Sequence, residues 1–320
     1  MEIAPDIHMI PGAVGSRPLQ LYMLIGDDRV ALLDTGCAPD PDRLIFPYLT
    51  GIGLTPADVD MVIVTHSDLD HCGGNAAMKR ANPNVLITCG EADRALVEDP
   101  AVMWARRYNR YAGPHDLAYS ENDRKWIMDM LGDAQPVDVT WRGGETLRLG
   151  RDWRVEIHHV PGHSDGHLAV FDPRSRTVLT GDAVHGSVYL DLDGNPALCP
   201  TYLNVDTYLV TINYLRGLGA EILGGCHWPI KRGAAVGAFL DESRQFVEQA
   251  DLALLAELDR RPGGATLQEL IAAVGPRLGG WPRSVDHELK YALAGNLDRL
   301  AALGKVTADA AQRPIRYQLA

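Results

Sequence analysis

Apolar residues along this chain fall in short continuous runs that stop abruptly at small or acidic residues. Leu21–Ile25 and Val30–Leu33 flank the turn Gly26-Asp27-Asp28, which predicts a β-hairpin closed by Asp34-Thr35-Gly36. The run Val59-Asp60-Met61-Val62-Ile63-Val64 reads as a strand buried on both faces. Helices are predicted over Pro41–Leu49 and Asn75–Ala81, and a further strand over Val85–Thr88. Short strands return at Thr146–Leu149, Val155–Val160, Leu168–Phe171 and Thr177–Thr180. A helix over Leu209–Leu218 and a last strand over Glu221–Gly224 follow. Between these strand series, residues 91–131 look helical and carry Trp104, Tyr108, Tyr111 and Trp126 with Arg106, Arg107, Arg110 and His115. A helical stretch that interrupts a series of strands often covers a site.

Near Ala235 the pattern turns helical. Gly237–Arg260 reads as one long amphipathic segment, broken by Arg261-Pro262-Gly263-Gly264. Thr266 caps a helix over Leu267–Val274, and a second follows over Val285–Leu303. Val306-Thr307 and Arg316–Leu319 then supply a small β-wing. The expected organisation is one domain over residues 1–235, with 91–131 as an insertion near its site, and a winged-helix-like domain over 236–320. A winged helix reads DNA when its second helix is basic. Here that segment sets Asp286, Glu288 and Asp298 against Lys290 and Arg299, so packing on the first domain or a homodimer contact is the expected role.

Composition narrows the function classes. With 320 residues and 46% hydrophobic content, the chain can bury a large core. Its formal charge of -12 argues against a general nucleic-acid binder. No secretory signal opens it and no run approaches membrane-spanning length, so a cytoplasmic protein without a membrane partner is expected. Cys37, Cys72, Cys89, Cys199 and Cys226 are odd in number and lack paired spacing, which reads as reduced thiols.

The chemistry is concentrated at strand ends. In Thr65-His66-Ser67-Asp68-Leu69-Asp70-His71, four groups able to bind a metal fall within six residues, directly after an apolar strand. The same grammar of apolar run, small residue and polar group recurs at Val160-Pro161-Gly162-His163, at Thr180-Gly181-Asp182 and at Gly224-Gly225-Cys226-His227. Glycine before the polar residue lets the backbone turn sharply. Imidazole and carboxylate together suit zinc, iron or manganese. Such an ion lowers the pKa of bound water from about 15.7 to about 7.

Those motifs resemble the metallo-β-lactamase superfamily of αββα hydrolases over roughly residues 1–235. The family pattern H-x-H-x-D-H, followed by single His, Asp and His ligands, is matched by His66, Asp70, His71, His163, Asp182 and His227. The resemblance implies that His66 and His163 hold one divalent metal and that Asp70, His71 and His227 hold a second. Asp182 would bridge them, as in the glyoxalase II branch, and Asp34-Thr35-Gly36 would support the site. The tail is similar, in architecture only, to that of a lactamase-β-like branch that includes endoribonucleases.

One position departs from the pattern: Asp68 stands where the second motif histidine belongs. A carboxylate there makes the first site harder and more negative, so that iron or manganese is expected to compete well with zinc. Flavodiiron proteins carry a Glu at this place, but with a flavodoxin domain that is missing here. Asp68 leaves three outcomes: a two-metal site of altered preference, one tight site at Asp70/His71/His227, or a site without metal.

The sequence therefore points first to a metal-dependent hydrolase of a small-molecule ester, lactone or thioester, partly apolar and anionic in character. Asp70 is the candidate for handling the proton. His185, three residues past Asp182, is a candidate substrate-facing or proton-donating group. Tyr202, like Tyr189, is a candidate for polarising a carbonyl. His167 is a candidate support for His163, and Trp228 a candidate pocket wall. The alternatives are a phosphodiesterase or ribonuclease, an iron-dependent redox enzyme such as a persulfide dioxygenase, and a regulatory binding protein that uses its winged helix.

Overall fold

The computed structural model describes residues 1–320. Its first sheet has seven strands in chain order: β1 (Glu2–Ala4), β2 (Ile7–Val14), β3 (Arg17–Ile25), β4 (Val30–Leu33), β5 (Met61–Val64), β6 (Leu86–Gly90) and β7 (Val139–Trp141). The predicted hairpin is β3 and β4, in register Tyr22↔Leu33 to Ile25↔Val30. From β4 to β7 the pairing is parallel, with helices as crossovers. Strands β1, β2 and β7 were not anticipated. Pro11 and Gly12 break the apolar pattern of β2, and β7 is only three residues long.

The second sheet is built from β8 (Glu145–Arg148), β9 (Arg154–His159), β10 (Leu168–Asp172) and β11 (Thr177–Gly181). After the small hairpin of β12 (Tyr189–Leu190) and β13 (Pro196–Leu198), it is completed by β14 (Ile222–Gly225) and β15 (Lys231–Arg232). The two sheets pack face to face. One core cluster contains Ile7, Leu24, Leu33 and Ile63 from the first and Ile157, Leu168, Val170 and Leu179 from the second. A second cluster lies under the helices outside the first sheet, and a third under those outside the second. Strands sandwiched this way are buried on both faces, which is why they read as continuous apolar runs. The result is the expected αββα sandwich.

The C-terminal region consists of helices Ala234–Asp259, Leu267–Leu278 and Leu289–Ala302, with the three-stranded sheet of β16 (Ala265–Thr266), β18 (Arg316–Leu319) and β17 (Val306–Asp309). Its apolar residues share one cluster with the second sheet. Leu254, Leu270, Trp281, Leu293 and Leu297 join Val160, Phe171, Val178, Tyr208 and Ile212. The expected helix over 285–303 is divided: a 3-10 turn at Arg283–Glu288 precedes Leu289–Ala302, whose residues 289–297 are all buried. No helix is long and apolar enough to cross a membrane.

Residues 91–131 are several short helices rather than one: Arg94–Glu98, Pro100–Met103, a wide turn at Trp104–Tyr108, Ala112–His115, and Glu121–Leu131 capped by Ser120. They sit beside the carboxyl ends of β5 and β6. All five cysteines are buried and unpaired.

Candidate metal centre

Each polar group sits where a buried strand ends. Strand β5 stops at Val64, and Thr65 then donates from its N–H (2.6 Å) and hydroxyl (2.8 Å) to the two oxygens of Asp34. Asp34 itself is held at φ 62°, a left-handed conformation uncommon outside glycine. Its Oδ2 also accepts from His71 Nδ1 at 2.8 Å. Strand β11 ends at Gly181 (φ +49°), where a Cβ would lie 2.6 Å from Thr65 Oγ1, so the step into Asp182 needs glycine. Gly162, before His163, is likewise pressed on Tyr208, with 2.6 Å from an ideal Cβ to its Cα.

The imidazoles are oriented by what their Nδ1 atoms touch. His71 Nδ1 meets the Asp34 carboxylate, His163 Nδ1 the Thr201 carbonyl at 3.1 Å, and His227 Nδ1 the Pro18 carbonyl at 2.6 Å. These partners only accept, so Nδ1 carries a proton and Nε2 is the nitrogen turned toward the centre. The Thr65 hydroxyl, already donating to Asp34, accepts from His66 Nδ1 at 3.1 Å.

Around the centre, His227 Nε2 lies 3.2 Å from Asp70 Oδ2 and 3.4 Å from Asp182 Oδ2, and His71 Nε2 is 3.9 Å from Asp182 Oδ1. Donors held about 2.0–2.1 Å from a tetrahedral ion stand roughly 3.3 Å apart, so this spacing suits a metal. Two buried atoms there, His71 Nε2 and Asp182 Oδ1, have no hydrogen-bond partner. Each such atom costs about 1–3 kcal/mol, a penalty that a cation removes. His71, Asp182, Cys226 and His227 form one group able to hold an ion, and the donors fit.

Protonation states agree with that use. Burial alone would raise the Asp182 carboxyl, but His227, His71 and His66 hold it well below the usual range. Asp70 is likewise lowered, against burial, by His227 and His71. Burial pushes His66 well down, so its imidazole is neutral. Burial also opposes a charged His227, yet Asp182 and its other neighbours lift it well above the ordinary value. A metal would therefore displace a proton there.

The group His66, Asp68 and His163 is different. Arg107, only 4% exposed, grips Asp68 with two parallel bonds, Nε to Oδ1 at 2.9 Å and Nη2 to Oδ2 at 2.8 Å. Its Nη1 donates to the His163 carbonyl at 3.1 Å, and Nη2 lies 3.1 Å from His163 Nε2. Tyr108 donates to Asp68 Oδ1 at 3.2 Å and accepts from the Leu69 N–H. Burial would raise Asp68, but the Arg107 guanidinium holds it well below the usual carboxylate range. Of Arg106, Arg107 and Arg110 in the insertion, Arg107 is the buried one.

Above this floor opens a cavity of about 280 Å³. Asp68, Asp70, Asp182 and His227 line its base. Its walls come from Tyr108, Tyr119, Trp126 and Ile127 of the insertion, from Tyr189, Leu198 and Thr201, and from Val285, His287, Glu288 and Tyr291 of the C-terminal region. Arg17 also reaches it. Nothing in the local sequence flags Arg17 or the tail residues.

Two expected catalytic groups do not reach the cavity. His185 is fully buried behind His163, its Nε2 3.2 Å from His163 Nδ1 and its Nδ1 3.1 Å from the Tyr208 hydroxyl. Tyr202 is fully buried, stacks on Tyr208 and donates to Asn296 at 2.8 Å. The loop that carries them folds inward: Tyr202 joins the core under the C-terminal helices, and His185 packs on Tyr202 and Tyr208. Tyr189, the other candidate tyrosine, does line the cavity and donates to Asp182 Oδ2 at 3.1 Å. His167 stacks on His66 at 4.4 Å and bonds the Thr180 carbonyl. Trp228 backs Tyr189 at 4.5 Å.

Asp93 was not anticipated. Fully buried, it accepts from Ser67 N–H (3.0 Å), Ser164 Oγ (2.6 Å) and Gly166 N–H (2.7 Å), tying the His66 loop to the His163 loop.

Comparison with known proteins agrees with the architecture. A metallo-beta-lactamase family protein of Thermus thermophilus superposes over all of both chains with a TM-score of 0.77 at 22% identity. A probable metallo-hydrolase of Mycobacterium tuberculosis is 31% identical over 191 residues, 52% of this chain and 56% of that protein, so the match spans little more than half of that relative. An acyl-coenzyme A thioesterase of Gallus gallus is 26% identical over 220 residues, 64% of this chain and 71% of the relative. The model of the metallo-beta-lactamase superfamily matches residues 18–227, and this chain belongs to that superfamily.

Proposed function

We propose that the protein is a metal-dependent hydrolase that cleaves a small, partly apolar ester, lactone or thioester. The observation that carries this reading is the convergence of His71, Asp182 and His227 with Asp70 under an open cavity. The Nε2 atoms face inward, and buried donor atoms are left without a partner. These four residues would hold a zinc, iron or manganese ion. When bound, the ion supplies the positive charge that polarises a carbonyl and ionises water at neutral pH.

The chain's own groups complete the site. Asp70 is ionised at the cavity base, where it would hold a proton during hydrolysis. The Tyr189 hydroxyl fixes Asp182 and faces the substrate space. Leu69, Trp126, Ile127, Leu198 and Val285 give the walls an apolar surface for an acyl or ring substituent. Arg17, with its Nε unpartnered, is placed to meet a substrate carboxylate or carbonyl. The thioesterase relative makes a thioester a substrate to try first. A polyanionic nucleic acid fits less well, because Asp123 and Glu288 line the walls and Arg107 is committed to Asp68.

The test is a panel of aryl esters, lactones and acyl thioesters with protein reconstituted in zinc, manganese or iron. Turnover that a chelator abolishes, and that Asp70→Asn reduces by at least about 100-fold, is expected. A reconstituted protein with no turnover on any ester or thioester, but with turnover on a phosphodiester, would overturn it.

A further inference from the structure

We infer that Arg107 takes the place of one of the two metals, so that this chain binds a single ion, at the Asp70/His71/Asp182/His227 side. The inference rests on the hydrolase reading above and specifies its cation content. A metal at the other side would have to draw on His66 Nε2, His163 Nε2 and the Asp68 carboxylate. Two of those three donors already serve the guanidinium. Asp68 receives it through two paired bonds, the bidentate manner that suits arginine, and His163 Nε2 lies 3.1 Å from the same Nη2. With His163 Nδ1 donating to the Thr201 carbonyl, Nε2 has one lone pair, and it cannot face both Nη2–H and a metal.

Charge makes the two cations exclusive. An ion about 2 Å from both His163 Nε2 and Asp68 Oδ2 would touch Nη2, setting two positive charges against a third in a buried place. Arg107 has nowhere nearby to withdraw to. It is 4% exposed, its Nη1 is fixed on the His163 carbonyl, and its guanidinium lies 5.1 Å over the Tyr291 ring. Tyr108 braces the carboxylate from the other side. The Asp68 exchange and the buried Arg107 thus make one device, in which a carboxylate able to hold a metal is used instead to seat a fixed cation. That cation lines the cavity beside the reaction centre, where it can stabilise negative charge developing on the substrate.

Zinc binding to metal-free protein decides the matter, read by elemental analysis after desalting and by calorimetric titration. The full chain is expected to retain one equivalent, with any second bound at least 100-fold more weakly. The double variant Asp68→His, Arg107→Ala is expected to retain two. If that variant does not fold, the wild-type stoichiometry still decides. Two equivalents of comparable affinity in the wild type overturn this inference and leave the hydrolase reading standing. No retained zinc, manganese or iron overturns both. Arg107→Ala that keeps Asp68 and still binds one equivalent, with no weak second site, would also overturn it, because the freed carboxylate should then admit an ion.

Discussion

The floor and the walls of the cavity are built by different rules. The floor comes from four strand ends that lie far apart in sequence, and each polar group is set by its own strand and the glycine or other small residue that ends it. The walls come from the insertion and from residues 283–291, whose positions depend on how separate segments dock. The floor is thus locally determined and chemically fixed. The walls are tertiary, with room to vary without disturbing the chemistry. If so, damage to the floor should abolish the reaction step, whereas damage to the walls should change which substrate is held.

The largest effect is expected from the floor. His227→Ala removes a donor from the only inward-facing group that Arg107 does not touch. Retained metal should fall below 0.1 equivalents by elemental analysis, and kcat by more than about 1000-fold, beyond the 10–100-fold typical of outer partners. Asp34→Ala should give that smaller 10–100-fold loss of metal affinity, since it frees His71 Nδ1 without deleting a donor. Unchanged metal content in both variants would break the distinction drawn here.

A middle-sized effect tests whether the floor holds itself together. Asp93 accepts three hydrogen bonds from two ligand loops, and burial raises its carboxyl, so the site has little tolerance for change. Asp93→Ala leaves buried donors at Ser67, Ser164 and Gly166 unmet. A loss of about 2–4 kcal/mol in urea unfolding is expected. Less than about 0.5 kcal/mol would mean that the loops are fixed by other contacts.

The walls should respond differently. Trp126 is 44% exposed at the cavity edge, so Trp126→Ala carries little stability cost. For a substrate with a long apolar chain, KM should rise about 10-fold with kcat within twofold, the signature of lost uniform binding. A kcat loss equal to that of a floor variant would show that wall and floor are one unit.

That division also explains what the sequence could disclose. The runs before His66, His163, Asp182 and His227 were legible because burial on both faces leaves an uninterrupted apolar signature, and glycine or another small residue marks each turn. The hairpin closing at Asp34 was legible for the same reason. Arg107 was not, because an arginine on a short helical piece looks the same whether it meets water or Asp68. His185 and Tyr202 were placed at the cavity because their loop follows Asp182. Only the docking of the C-terminal helices, through Asn296 and the shared apolar core, reveals that both rings point inward. Residues 285–303 read as one helix; the structure splits them, and the 3-10 turn is what brings His287 and Glu288 to the cavity.

The smallest effect comes from that turn. His287 Nε2 lies 2.9 Å from Glu288 Oε1, and Glu288 Oε2 accepts from Tyr119 at 2.8 Å. The hydrogen bond to Glu288 raises His287 above its ordinary 6.5, even though burial and Lys290 oppose it. Because the folded value is raised, the pair's contribution to stability is complete below about 6.5. It fades as pH climbs through the folded value. The side chain is 45% exposed, so solvent screening keeps the effect slight. Titration by nuclear magnetic resonance should give His287 a higher pKa in the wild type than in Glu288→Gln. The difference in melting temperature between the two should shrink from pH 6 to pH 8. A gap that widens with pH would mean that Glu288 acts mainly through Tyr119 and Lys290, and that this wall is set by the insertion rather than by the turn.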